Sequence, residues 1–266
     1  MSMLYSMTEP ASTEATPTTG ADAAVGATLL TGLHAQVLDQ LGQAIAGGQL
    51  AAGSVAYIDE LVERYSVSRS VIREALRVLS SMGMVESRRR VGTVVLPAGD
   101  WNVYDPQVIR WRLASAGRLG QLRSITELRG AVEPEAARLA AERATPAEAS
   151  RLVGIAAQMW AAGQGDDEGE FLALDIEFHR LVLASSGNEM FLKLHELVAE
   201  VLTGRHHYGL MPHHPHEEAL HLHAEVAQAV QRRDGERARE AMRRIMDQAM
   251  EEMKSLWAQT GEHGPA

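Results

Sequence analysis

Residues 66–95 read SVSRSVIREALRVLSSMGMVESRRRVGTVV and decide how the N-terminal part of the chain is interpreted. Seven arginines and only two acids lie between Arg64 and Gly92, which gives this window a net charge of +5. The whole chain of 266 residues has a formal net charge of −10. A positive surface on an acidic molecule indicates contact with an anionic partner.

Composition limits the class of protein. A chain of 266 residues with 45% hydrophobic residues has room for two domains with their own cores. Cysteine is absent, which excludes disulfides and thiolate metal sites and agrees with a reducing compartment. No apolar run approaches the ~20 residues of a membrane span, and the N-terminus lacks a secretory pattern. These features predict a soluble, cytoplasmic protein.

The pattern of apolar residues divides the chain. Residues 1–27 are rich in Thr, Ala, Ser and Pro and show no apolar period, which is typical of a disordered leader. Helical spacing follows from Leu29 to Ile45 and over residues 58–65, then a tight turn and the arginine-bearing helix. Valines on both sides of a basic turn predict a hairpin. This order is that of a winged helix-turn-helix. The predicted divisions are a leader (1–27), a winged helix-turn-helix domain (28–98), a linker (99–112), an all-helical domain of roughly six helices (113–258) and a tail (259–266).

The arginine helix has two different faces. Ser68 is placed to cap its N-terminus. Arg69, Arg73 and Arg77 fall within a stripe of about 80° on one side. The opposite side is apolar and should pack on the preceding helices; it consists of Val71, Ile72, Ala75, Leu76 and Leu79. Such a helix fits a major groove, where arginine binds guanine or phosphate. The alternative is that the arginines only solvate an amphipathic helix.

The same stretch resembles the DNA-binding segment of the GntR family of bacterial transcription regulators. The matching pieces are V-S-R, R-E-A-L and G-hydrophobic-V, followed by a basic turn that ends in glycine. The resemblance implies that Arg69 and Arg73 contact operator DNA and that Gly92 lets the wing approach a groove. One departure lies upstream, where Asp59 replaces the arginine that usually begins the second helix. The full set of expected DNA-binding residues is Arg64, Ser68, Arg69, Ser70, Arg73, Arg88, Arg89, Arg90 and Gly92.

The second half contains LDIEFHRLVLASSGN and later HLHAEVAQAVQRRD. Asp175 and His179 are four residues apart and project from one helix face, and His223 begins another helix. A carboxylate and two imidazoles can ligate one cation. The alternative is that each histidine is an ordinary hydrogen-bonded residue.

This half resembles the all-helical ligand-binding (FCD) domain of the FadR branch of the GntR family. The resemblance implies that an Asp and three His hold a divalent metal (Zn, Ni or Mn) that helps to bind a carboxylate effector. Asp175, His179 and His223 match three ligands, but Ile245 stands where the fourth is usual. Either a three-ligand site leaves a position for water and effector, or the metal has been lost.

Three further features bear on the effector site. Arg129 matches an arginine that commonly lines the effector cavity; the alternative is an intrahelical pair with Glu133. Asn188 is a candidate effector-binding residue, although capping the next helix is the favoured interpretation. The histidines between residues 206 and 216 are either a metal cluster or a solvated loop near the pocket mouth, and the loop is favoured.

The sequence as a whole predicts a dimeric, ligand-responsive repressor, not an enzyme, that binds a palindromic operator. The segment WNVYDPQVIRWRL resembles the domain junction of gluconate- and galactonate-type regulators, which favours a sugar-acid effector. One alternative is a metal-dependent enzyme on a helical bundle. The other is a constitutive DNA-binding dimer without an effector.

Overall fold

The computed structural model describes residues 20–165, 168–211 and 215–260, with side chains from residue 32 to residue 255 of these ranges. The predicted mainly α class is confirmed, because this part of the chain holds eleven α-helices and one small antiparallel sheet. None of the helices described is long and apolar enough to cross a membrane.

The N-terminal module is a winged helix-turn-helix. It contains α1 (Gly20–Ala46), β1 (Val55–Ala56), α2 (Ile58–Tyr65), α3 (Arg69–Ser81), β2 (Val85–Arg88) and β3 (Gly92–Val95). The predicted bounds of α2 and the predicted presence of a hairpin are confirmed. Strand β1 was not predicted, because two residues are too few to show a period. It pairs with β3, so that β3 is the central strand of the sheet.

Helix α1 begins earlier than the apolar period indicates. It starts at Gly20, so the leader predicted for residues 1–27 is wrong for residues 20–27. The segment ADAAVGATLL is rich in alanine and lacks proline, so helix propensity extends the helix beyond the apolar period. Residues 1–19 of the predicted leader lie outside the described residues.

The predicted linker is largely structured. After a 3₁₀ turn at Ala98–Asp100, α4 spans Pro106–Leu113, and the Asp105 side chain caps it by accepting the backbone N–H of Gln107 at 2.9 Å. Helix α4 belongs to two cores at once. Val108 and Trp111 are buried in the N-terminal core, whereas Ile109 and Leu113 are buried in the C-terminal core. The expectation of a plain linker over residues 99–112 is therefore wrong from Pro106 onward.

The C-terminal module is an all-helical bundle, as predicted. Its helices are α5 (Arg118–Arg143), α6 (Pro146–Gly163), α7 (Glu168–Ser185), α8 (Glu189–Lys193), α9 (His195–His207), α10 (Glu217–Gln231) and α11 (Gly235–Thr260). The prediction of roughly six helices missed the break at Leu194 between α8 and α9, because no glycine or proline marks this break in the sequence. Helix α11 runs two residues into the predicted tail, and residues 261–266 are outside the described residues.

A glycine in α1 allows α4 to approach closely. A Cβ atom added at Gly42 would lie 2.4 Å from ring atoms of Trp111. The Trp111 indole is fully buried there, and its Nε1–H donates to Asp39 Oδ1 at 2.7 Å. The packing of Trp111 against α1 therefore depends on the absence of a side chain at Gly42.

We predict that Gly42→Ala lowers the free energy of unfolding by about 1–3 kcal/mol, because the methyl group overpacks the Trp111 seat. Urea unfolding followed by tryptophan fluorescence measures the change. Gly32→Ala is the matched control, since a Cβ atom at Gly32 meets nothing within 4 Å and alanine favours helix. Equal stability of the two variants would contradict this packing.

Candidate functional sites

Helix α3 presents arginines to solvent and buries its other face. The Ser68 side chain accepts the backbone N–H of Val71 at 3.4 Å, which confirms the predicted cap. Arg69, Arg73 and Arg77 are exposed. All five residues predicted for the apolar face are buried: Val71, Ile72, Ala75, Leu76 and Leu79. The periodicity of this segment therefore identified both faces correctly.

Asp59, which stands where the family usually has an arginine, forms an ion pair with the first arginine of α3. Its Oδ1 lies 2.5 Å from Nη1 of Arg69, and both side chains are well exposed to solvent. Exposed pairs of this kind contribute about 0–1 kcal/mol. Arg69 is thus held by α2, and its release from Asp59 costs little. Arg73 has no ion-pair partner among the residues described.

The wing is built on a strained turn. Arg90 has φ 66° and Gly92 has φ 118°, which favours glycine. A Cβ atom at Gly92 would also lie 2.9 Å from Val55 Cγ1 of β1. Gly92 is therefore required by the sheet itself, a reason that the resemblance did not give. The turn carries Arg89 and Arg90 on the exposed tip, and Arg88 pairs with Glu86 at 2.8 Å.

The other residues predicted for DNA binding lie beside this surface. The exposed Arg64 guanidinium stands over the ring of Tyr65, 5.5 Å from its centroid. The hydroxyls of Ser68 and Ser70 are 2.8 Å apart at the start of α3.

Three buried side chains converge inside the C-terminal module. Asp175 and His179 come from α7 and His223 from α10; each is at most 5% exposed. One potential ligand atom from each lies within 4.8 Å of the others. Both imidazole Nε2 atoms are 3.3 Å from Asp175 Oδ1. The structure thus brings together all three predicted metal ligands.

Hydrogen bonds fix both rings with Nε2 toward the carboxylate. The Nδ1 atom of His223 lies 2.7 Å from the carbonyl oxygen of Ala219, and Nδ1 of His179 contacts Oε2 of Glu133. Each acceptor binds the Nδ1–H of its ring, which turns the Nε2 atoms of both rings toward Asp175. Nε2 of His223 is buried and makes no hydrogen bond in the structure. This arrangement fits a divalent cation held by Asp175, His179 and His223.

The same groups form a strongly coupled charge network. Burial alone would raise the pKa of Glu133, but Arg129 and His179 outweigh it and lower the pKa to about 2. Burial would lower the pKa of His179, yet Glu133 above all raises the pKa to about 9. The pKa of Asp175 lies below its usual range, because both imidazoles outweigh its desolvation. Both carboxylates are therefore charged and need cationic partners.

Arg129 joins this network to a cavity. Its Nε–H donates to Glu133 Oε1 at 2.5 Å, and its Nη2 lies 3.3 Å from His179 Nε2. The intrahelical pair considered as an alternative therefore exists, but it is buried and also lines the cavity. Ile245 lies in the cavity wall and offers no ligand atom, as predicted.

Two other predicted features have different outcomes. Asn188 does not line the cavity; its side chain accepts the backbone N–H of Met190 at 3.0 Å and caps α8, which is the interpretation that the sequence favoured. Within the His-rich stretch, His206 and His207 end α9 and His216 lines the cavity. His213 and His214 lie outside the described residues.

Sequence reasoning missed a second buried arginine in the cavity wall. Arg205 on α9 is 4% exposed, and its Nη2 donates to Glu252 Oε2 on α11 at 2.5 Å. Gln248, one turn before Glu252, lines the same cavity. The only available signal was an arginine within the helical period of α9, because its partner lies 47 residues away.

Comparison with known proteins identifies both modules. Residues 33–95 match the bacterial regulatory proteins of the gntR family, and residues 124–248 match the FCD domain. The chain is 28% identical to the galactonate operon transcriptional repressor of Escherichia coli K12, over 83% of this chain and 96% of that protein. It is 31% identical to an HTH-type transcriptional regulator of Mycobacterium tuberculosis, over 65% and 69% of the two chains. A solved structure of Lar, which controls the agr system of Listeria monocytogenes, shares the fold with a TM-score of 0.52 at 15% identity, over 84% of this chain and 97% of that chain.

We predict that the purified, chelator-treated protein binds one Zn²⁺ or Ni²⁺ tightly per chain and that His223→Leu weakens this binding more than about tenfold. Leucine keeps apolar volume but removes the free Nε2. Isothermal titration calorimetry measures both affinities.

His221→Leu is the matched control, because His221 lies on the same helix with an exposed side chain. It should bind metal as the unmodified protein does. A tight site that survives in His223→Leu, or no tight site in either protein, would contradict the assignment.

Proposed function

Because the chain belongs to the gntR family of bacterial regulatory proteins and carries an FCD domain, we propose that it is a repressor which a small sugar-acid-like carboxylate releases from its operator. It is a DNA-binding transcription regulator that responds to a small molecule. The observation that carries the proposal is the position of α9, which lines the cavity with Arg205 and contacts α4 with Glu200 and Gly204.

The exposed arginines are the DNA-binding surface in this proposal. Arg69 and Arg73 enter the major groove, with Ser68 and Ser70 at the helix start close to the phosphates. The wing arginines Arg88, Arg89 and Arg90 approach the adjacent backbone, and Arg64 adds charge beside the groove. Two copies of the chain, acting as a homodimer, would present two such helices to the half-sites of a palindrome.

The cavity is the effector site in this proposal. Asp175, His179 and His223 would hold a divalent metal, which supplies a Lewis-acid centre for a carboxylate oxygen. Arg129 adds a guanidinium group to the cavity wall beside His179. Its Nη2 contact with His179 leaves it close to the metal position, where a carboxylate bound to the ion would meet it.

Helix α9 offers a direct route from the cavity to the DNA-binding module. Glu200 accepts the Nε–H of Arg110 on α4 at 3.0 Å. A Cβ atom at Gly204 would lie 2.7 Å from Leu113 of α4, so the two helices are in close contact. Helix α4 then reaches α1 through Trp111, and α1 packs on α3. An effector that prefers one position of α9 would thereby favour one position of the recognition helix.

Neither alternative from the sequence is favoured. The gntR and FCD matches and the two curated relatives are regulators, which opposes the enzyme interpretation. A constitutive DNA-binding protein gains nothing from a cavity lined by buried charges, because charged groups cost stability to bury even when they are paired. The charged cavity therefore favours a ligand-responsive protein.

We predict that Arg69→Ala/Arg73→Ala abolishes specific binding to DNA from upstream of its own gene. The slope of the logarithm of the DNA-binding constant against the logarithm of the salt concentration should also become less steep. The change is roughly 0.9 for each phosphate that the variant no longer neutralises. Fluorescence anisotropy at several salt concentrations measures both. Arg237→Ala/Arg239→Ala removes two exposed arginines from α11 and is the matched control. Tight specific binding by the α3 double variant would overturn the assignment of this face.

We also predict that Arg110→Gln leaves the separate affinities for DNA and effector nearly unchanged but reduces the effect of galactonate on DNA affinity by up to about fivefold. The change removes an exposed ion pair worth roughly 0.2–1 kcal/mol between α4 and α9. Anisotropy titrations with and without galactonate measure the coupling.

Arg151→Gln is the matched control, because Arg151 forms a similarly exposed ion pair with Glu177 between α6 and α7. An equal reduction of coupling in the two variants would argue against a specific route through α4 and α9.

A further inference from the structure

Three polar residues form a second cluster in the cavity wall, the α9–α11 cluster of Arg205, Gln248 and Glu252. Glu252 accepts the Nη2–H of Arg205 at 2.5 Å and lies 3.5 Å from the Gln248 amide nitrogen. No hydrogen bond among the described residues joins this cluster to Asp175, His179 or His223. The cavity thus has two separate polar groups on its wall.

The cluster contains one unused donor and one unused acceptor. The Nε–H of Arg205 and the Oε1 of Gln248 are both buried and have no hydrogen-bond partner in the structure. The contact between Gln248 Nε2 and Glu252 assigns the amide orientation, so that the oxygen is the unpaired atom. A buried polar atom without a partner typically costs 1–3 kcal/mol, which a bound ligand recovers when it supplies that partner.

The charges already present restrict what can bind. The Arg205 guanidinium is matched by Glu252, and the Arg129 guanidinium is matched by Glu133. Asp175 is the remaining carboxylate, and metal coordination requires neutral imidazoles at His179 and His223. A divalent cation therefore leaves one net positive charge around the cavity, which one carboxylate neutralises.

We propose that the α9–α11 cluster binds a hydroxyl group of the effector, so that the ligand is a polyhydroxy monocarboxylate of the aldonate class. This inference rests on the proposed function, which places the carboxylate at the metal and Arg129. A hydroxyl accepts from the Nε–H of Arg205 and donates to the Oε1 of Gln248, and so satisfies both atoms. A second carboxylate could only accept hydrogen bonds, so the Oε1 of Gln248 would stay unpaired. It would also repel Glu252, and no unmatched cation of the cluster would compensate for its charge. An ammonium could only donate, and it would leave the Arg205 donor unpaired.

The test is isothermal titration calorimetry of the metal-loaded full chain with three acids. Galactonate has one carboxylate and hydroxyls remote from it, galactarate replaces the remote hydroxyl with a carboxylate, and lactate lacks remote hydroxyls. We expect galactonate to bind at least tenfold more tightly than either of the others. Tighter binding of galactarate would overturn the monocarboxylate assignment, and equal binding of lactate would overturn the hydroxyl contact.

Two substitutions examine the cluster itself. Gln248→Met removes the acceptor, and Arg205→Lys keeps the charge but removes the Nε–H. Each should weaken galactonate binding about tenfold while metal affinity, and lactate affinity measured by competition, stay within twofold. The matched controls are Gln228→Met on the exposed side of α10 and Arg243→Lys on the exposed side of α11. Metal affinity and thermal unfolding establish that each variant is folded. If Arg205→Lys does not fold, the result for Gln248→Met decides the test.

The possible failures are distinguishable. If the unmodified protein binds none of the acids, the proposed carboxylate effector is wrong. If it binds galactonate and the Gln248→Met variant binds it equally well, the proposed function stands and the hydroxyl contact is wrong. If both variants weaken lactate binding as much as galactonate binding, the cluster acts on the carboxylate end instead, which also overturns the inference.

Discussion

The sharing of α4 between two hydrophobic cores is the constraint on which the rest of the structure depends. Trp111 is buried against Gly42 of α1, and Leu113, two residues later, is buried against Gly204 of α9. Because protein interiors are closely packed, moving either side chain out of its contacts would leave a cavity that costs several kcal/mol of stability. The DNA-binding module and the helical bundle therefore cannot move independently at this point. A short helix, where a linker was expected, provides the mechanical connection.

The buried charges of the bundle explain why that connection would matter. Glu133, Asp175 and Arg129 are almost completely buried, so each depends on the partners around it. An ion at Asp175, His179 and His223, and an anion beside Arg129, would change those partners most strongly. Because α9 carries Arg205 into the same cavity, a ligand that bridges the two polar groups on the wall would draw on both α7 and α9. In the proposed function, the position of α9 would then depend on what the cavity contains.

Local patterns predicted much of this molecule, and long-range contacts account for what they did not predict. The buried face of α3 follows from the 3.6-residue period, and Asp175 and His179 share a face because they are one turn apart. Ion pairs such as Asp59–Arg69 and Arg205–Glu252 join separate helices, and no spacing within one helix reveals them. Asn188 had both a capping and a ligand-binding interpretation, and only the position of the cavity distinguished them. The two roles of α4 likewise depend on packing partners remote in sequence.

The central claim is that the cavity and the DNA-binding surface are coupled, and thermodynamic linkage tests it most directly. The dissociation constant for galactonate is measured by calorimetry on the metal-loaded protein, first free and then saturated with its operator DNA. Coupling requires that DNA weakens galactonate binding by the same factor by which galactonate weakens DNA binding. We predict a common factor of about 5–150, the usual range for coupled sites. Galactonate affinity that is identical in the free and DNA-bound protein would contradict the account.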